Sequence, residues 1–177
     1  AQFQENVSIS NVLDSRMISN PLRLLMCSPI GDGAAAIVLM SKEYAKYKGV
    51  EQIHVKACSL KSSVDKETDF IPAPTLAAME AYEKSGIGPE EIDVAEIHDA
   101  AAPAEFIIYE QLKFCNKGEA VGLLKSGETS LGGRIPINPS GGLISRGHPI
   151  GATGAAQIVE LSNQLRNRCE KRQKKNA

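Results

Sequence analysis

The chain has 177 residues, 42% apolar and 23% charged, with 15 glycines and 9 prolines, enough for one ordinary domain with a sizeable core. Lys and Arg total 20 against 21 Asp and Glu, a formal charge of −1, so no net field draws the molecule to nucleic acid or an acidic membrane, and a nucleic-acid function is disfavoured. No run approaches the roughly 18 consecutive apolar residues of a membrane span, and AQFQENVSIS lacks the basic and apolar blocks of a signal peptide; a soluble, cytoplasmic chain is expected.

Residues 1–29 show little periodicity, and Pro21, Pro29 and several Asn and Ser residues predict mostly loop with one short helix. Gly31-Asp32-Gly33 is a turn signal feeding the apolar run 34–40, which reads as a strand buried on both faces. Ser41 can cap a short helix through Lys48, stopped by Gly49. Ile53, Val55 and Ala57 then alternate with His54, Lys56 and Cys58, predicting a half-buried strand that leaves His54 in solvent. Pro72 and Pro74 precede an amphipathic helix on Leu76, Met79 and Tyr82, with Gly86 at its stop. Residues 92–97 read as the next strand, carrying His98 and Asp99 at its end. From Pro103, the stretch 104–112 is apolar nearly all round and predicts a helix buried on several sides.

Between Gly127 and Gly154 lie eight of the 15 glycines, a density that lets backbone approach a ligand or another backbone closely. Ile135 to Asn138 reads as a short strand or extended approach. A long helix follows His148-Pro149, starting near Gly151 and running to about Lys171, with Ala155, Ile158, Val159, Ser162 and Leu165 on one face. The alternation of short strands and helices indicates an α/β fold. The four cysteines, Cys27, Cys58, Cys115 and Cys169, form no Cys-x-x-Cys pair and have no histidine at metal-ligand spacing. Each is expected to be a small buried or half-buried hydrophobe, with neither disulfide nor zinc.

Two histidines stand in settings suited to chemistry. His98 closes an apolar strand, and in open α/β sheets ligands bind beyond the carboxyl ends of strands. His148 sits in a glycine loop that opens a helix, where unpaired N–H groups and a partial positive charge can hold an anion or developing oxyanion. There it can serve as a base while neutral or as a donor; equally, the glycines can serve tight packing and His148 can bond backbone. The loop lacks the Gly-Lys-Ser/Thr end of a P-loop, and Gly147, Gly151 and Gly154 have the wrong spacing for a dinucleotide fingerprint.

NPSGGLISRGHPIGATGAAQ resembles the Gly-His-Pro signature of thiolases, and HDAAAPAEFIIYEQLKFCNKGEA the His-Asp block of the sterol-carrier-protein-type and archaeal thiolases. GDGAAAIVLMS and PAPTLAAMEAYEKSGIGPEEIDVAEIHDA resemble further landmarks in the same order, so the likeness spans nearly the whole chain. It implies an α/β thiolase-like fold, a mixed sheet with helices on both faces, incomplete at both ends. Residues 1–50 would be the end of an N-terminal half, and 51–177 a C-terminal half lacking its final strands. It further implies an acyltransferase that makes or cleaves a carbon–carbon bond between acyl-CoA units, part of lipid metabolism, through an acyl-cysteine intermediate. CoA would enter as part of the substrate, and no other cofactor is implied.

On this resemblance His148 activates the nucleophilic thiol and helps hold a thioester oxygen, and His98 helps form the oxyanion site. Asp99 is structural, Ser28 lies near the pantetheine arm, and Gly141, Gly142 and Gly147 form a wall of the substrate site. The nucleophilic cysteine belongs to the N-terminal half, and none of the four cysteines here stands in a comparable motif, so the isolated chain is expected not to turn over. Sterol-carrier-type relatives continue the His-Asp block with Cys-Phe, the cysteine being a second acid/base; here Ala100 and Ala101 stand instead. Archaeal relatives also place alanine at the first position, and the second acid/base is unassigned. A sheet without its terminal strands predicts packing against another segment or chain, as a homodimer or higher oligomer. The rival reading is a non-catalytic thiolase-fold subunit that binds acyl-CoA or scaffolds a partner enzyme. A third is an aldolase-type relative without a nucleophilic cysteine. The basic tail RNRCEKRQKKNA reads as a solvated helix end, with a CoA phosphate contact at Lys174 and Lys175 as the sharper option.

Overall fold

The computed structural model describes residues 1–66 and 69–174. Within them the N-terminal segment holds α1 (Ile9–Asp14), whose start is fixed by reciprocal capping between Ser8 and Asn11. An antiparallel ribbon of β1 (Met17–Ser19) and β2 (Leu22–Arg23) follows. α2 (Lys42–Lys48) begins at Ser41, whose hydroxyl accepts from Tyr44 N, and ends at Gly49 with φ +63°, the cap and stop read in the sequence. A second ribbon pairs β3 (Val64–Lys66) with β4 (Asp69–Ile71). The remaining helices are α3 (Ala73–Ser85), α4 (Ala102–Gln111), α5 (Ala120–Lys125), α6 (Gly142–Arg146) and α7 (Ile150–Leu165).

The core lies between α4, α5 and two extended segments around Ile97 and Ile135–Ile137. Tyr109 and Ile135 are sealed from solvent and pack with Ile97, Phe114, Leu123 and Ile137. α3 joins this layer through its Tyr82 hydroxyl, which donates to Leu112 O at 2.7 Å. The extended segments run parallel, bridged at Ala95 and Ile137, with Ala95 N donating to Pro136 O and Asn138 N to Ala95 O. Residues 92–97 are thus held by this one bridge and not by a continuous strand ladder. α4 buries Tyr109 but leaves Ile107 exposed, so it is a one-sided helix.

Three expectations are corrected. The runs 34–40 and 53–58 are not strands. A strand buried on both faces needs hydrogen-bonded neighbours and covering layers, and with none paired to it among the described residues the first run leaves Val38 81% and Leu39 79% exposed. The last helix stops at Leu165, short of Lys171, and the chain turns back through a 3-10 turn at Glu170–Arg172. Its inner face is also not the apolar one: Thr153, Glu160 and Gln164 are buried, whereas Ile158 and Leu165 are each 50% exposed. At 100° per residue Ile158 and Leu165 lie about 130° around the helix from the buried stripe.

The inward polar stripe is stable because its groups are paired. Gln164, with 0% exposure, donates to Arg172 O and accepts from Lys174 N, and Arg172 reaches Glu160 at 3.1 Å. Burial opposes ionisation of Glu160, but Arg172, Gln164 and Cys169 hold its carboxyl below the ordinary value. Burial and that carboxylate together push the Cys169 thiol up to about 11. Lys174 donates to Gly133 O and Arg134 O at 2.7 Å each, so this part of the basic tail binds the fold's own carbonyls; Lys175 lies outside the described residues. No helix among those residues is long and apolar enough to cross a membrane.

Glu80 on α3 anchors the segment before β3, bonding Lys84 and Lys61 at 2.8 and 2.9 Å and accepting from the Ser59 hydroxyl. Led by Lys84, these partners hold its carboxyl at about 2, below the ordinary 4.5. The unfolded chain therefore binds the proton first as pH falls, and stability present above 4.5 is lost towards 2. In urea melts, wild type is expected to exceed Glu80→Gln above pH 4.5 and to converge with it near pH 2; a gap independent of pH would contradict this.

Candidate active site

The imidazoles of His98 and His148, 50 residues apart in the chain, meet edge to face with centroids 4.7 Å apart and an interplanar angle of 85°. His98 is exposed and His148 half-buried. The residue before His98 is held at both backbone groups: Ile97 N donates to Asn138 Oδ1 at 2.7 Å, and Ile97 O accepts from Gln157 Nε2 on α7 at 2.9 Å. His148 lies just before α7, with Nδ1 2.9 Å from Thr153 Oγ1, which leaves Nε2 as its unengaged nitrogen.

Buried carboxylates flank His98 on the chain and reach the glycine loop. Asp99, 4% exposed, accepts Leu143 N at 2.8 Å. Glu96 accepts Ser140 N at 3.0 Å and Ser140 Oγ at 2.7 Å. Burial pushes the Glu96 carboxyl up, against the pull of Ser140 and of Arg146 at 3.8 Å. The loop that carries His148 is thereby fastened to the segment that carries His98.

An open groove of about 720 Å³ runs beside His148, with Ser28 to Ala35 on one side and His148 to Ala152 on the other. Its walls are joined where His148 N donates to Pro29 O at 3.4 Å, and Ser28 N donates to Ala100 O at 2.9 Å, tying one wall to the segment after His98. Ser28 and His148 line it. Gly141, Gly142 and Gly147 are not among the residues that line it. Gly142, at φ +61°, lies where an added Cβ would overlap the Asp99 carboxylate, and Gly147, at φ +87°, packs against Pro29 and Gly31. The glycines at the groove are Gly31, Gly33 and Gly151. Gly142 and Gly147 thus allow the Asp99 side chain and the Pro29–Gly31 segment to lie close to the loop.

Thr153, Gln157, Glu96, Ser140 and Asn138 were not singled out by the sequence reading. Their signals were a glutamate inside an apolar segment beside a histidine, and polar residues four and seven apart in the helix after His148. Chemically, His148 lines the groove with Nε2 unengaged and touches the exposed ring of His98, which is not among the groove-lining residues, beside the first N–H groups of a helix.

The family model described as thiolase C-terminal domain-like matches residues 57–177. The chain is 39% identical over 183 residues to sterol carrier protein 2 of Rattus norvegicus, covering 98% of this chain and 34% of the relative. It is 42% identical over 176 residues to benzoylsuccinyl-CoA thiolase subunit BbsB of Thauera aromatica, covering 96% and 45%. With acetyl-CoA acetyltransferase of Methanothermobacter thermautotrophicus it shares 40% over 178 residues, 98% and 46% of the two chains. The solved Ltp2-ChsH2(DUF35) aldolase has the same fold, with a TM-score of 0.74 at 22% identity over 96% of this chain and 46% of its own. The chain spans between a third and a half of the length of these proteins.

Two glycines of this region predict opposite outcomes. Gly142→Ala combines a left-handed φ with overlap at Asp99 and is expected to cost about 1–3 kcal/mol. Gly154→Ala, in the interior of α7 with open space around it, is expected to stabilise by about 0.5–1 kcal/mol. Denaturant melts of the two variants check both signs.

Proposed function

The chain belongs to the thiolase family, and we propose that it supplies the two active-site histidines of an acyl-CoA acyltransferase whose nucleophilic cysteine lies on a segment outside this sequence. The observation that carries the reading is the meeting of His98 and His148 at 4.7 Å beside an open groove. In this mechanism His148 takes the proton of the cysteine thiol and the thiolate attacks the keto carbonyl; the carbon–carbon bond breaks to leave an acyl-cysteine and an acetyl-CoA enolate, which takes a proton from an acid not assigned among these residues, and the thiol of a second CoA then removes the acyl group from the cysteine. His98 donates to the thioester oxygen, and the N–H groups at the start of α7 add positive potential. Ser28, which lines the groove, is read as a contact to the pantetheine arm. CoA is then substrate, and no other cofactor is called for. The names of two relatives, an acetyl-CoA acetyltransferase and a benzoylsuccinyl-CoA thiolase subunit, support this class.

The alternative, a thiolase-fold subunit that binds acyl-CoA or scaffolds a partner without catalysis, is favoured by Ala100, where an acid/base cysteine would stand. A partner chain fits either reading. Relatives include a named subunit and a fold neighbour whose name joins two components, and this chain exposes apolar residues at 37–40 and along α7 that another layer would cover. A cytoplasmic setting is proposed with the acyl-CoA chemistry.

Two measurements test this. In the complete protein, His148→Ala is expected to lower acetoacetyl-CoA thiolysis by roughly 10²–10⁴-fold, the range of a positioned acid–base group; unchanged turnover removes His148 as the base. Analytical ultracentrifugation of the chain at micromolar concentration is expected to show a dimer or larger species, and a cooperatively melting monomer would refute the partner reading.

A further inference from the structure

We infer that Thr153 is a positioning residue that fixes His148 in the Nδ1–H tautomer and so keeps Nε2 as the proton-accepting nitrogen, a role that deepens the reading of His148 as the base and rests on it. Thr153 is 3% exposed on the first turns of α7. Its Oγ1 lies 2.9 Å from His148 Nδ1 and 3.1 Å from Pro149 O. A hydroxyl has one hydrogen, and a carbonyl oxygen can only accept. If that hydrogen goes to Pro149 O, the usual back-bond of a helical threonine, Oγ1 turns a lone pair to the ring and Nδ1 must carry the proton. Both contacts are then hydrogen bonds.

The reverse arrangement sends the hydroxyl hydrogen to Nδ1. It sets two lone-pair oxygens against each other at 3.1 Å in a buried site and moves the ring proton to Nε2. The ring would then meet the groove as a donor, unable to accept a thiol proton. Burial makes the mismatch costly, and the branched side chain restricts the χ1 changes that could relieve it. The hydroxyl therefore selects which of two chemistries His148 presents.

Long-range proton–nitrogen NMR spectra of the histidine-labelled chain read the tautomer of each neutral ring, with exposed His54 as an untethered reference. Wild type and Thr153→Ser are expected to show His148 as a single Nδ1–H form, and Thr153→Val to lose it for a mixture or for Nε2–H. A wild-type Nε2–H ring overturns the inference, as does a folded Thr153→Val that keeps Nδ1–H. Should Thr153→Val fail to fold, the wild-type and Thr153→Ser spectra still decide. In the complete protein, Thr153→Val is expected to lower kcat for thiolysis at least about tenfold with KM little changed, and Thr153→Ser to restore it. A tautomer that shifts as expected while thiolysis is unchanged overturns the positioning role and locates the failure in the reading of His148 as base.

Discussion

Two buried carboxylates hold this molecule's chemistry in place. Glu96 accepts from Ser140 N and Asp99 from Leu143 N, both across 44 residues of chain. They extend by side chains the parallel register begun at Ala95 and Ile137 by backbone. A backbone ladder would have ended at the strand terminus; acidic side chains carry the pairing past it, to the place where both histidines must stand. Two such side-chain joints fix a direction as well as a distance.

Around this joint the glycines have a definite task. Gly142 leaves room for the Asp99 carboxylate, and Gly147 lets the loop lie against Pro29 and Gly31. The site is thereby assembled by close packing of one segment on another, and the groove wall is left to Ser28, Gly31, Gly33 and the start of α7. The thiolase family supplies the chemical context for that arrangement, and the paired rings supply its local reason.

Local signals were legible where the physics is local. Ser41 and Gly49 bound α2, Gly86 stops α3, and Pro103 lies in the first turn of α4, each through a cap or a fixed dihedral that needs no distant partner. The histidine pair was legible through the order of its motifs. The runs at 34–40 and 53–58 were misread because strand identity depends on neighbours that periodicity does not reveal. α7 was misread for a different reason: apolar residues mark the face turned inward only when the interior lacks paired polar groups. Here Gln157, Glu160 and Gln164 find hydrogen-bond partners inside.

α7 is consequently an inverted amphipath, wet side in and oily side out. A close-packed rod transmits a push with little give, and Thr153 and Gln157, which grip the two imidazole-bearing segments, lie on the same helix as the outward Ile158 and Leu165. The helix whose apolar flank is left uncovered is thus the same one that holds both imidazole-bearing segments in place.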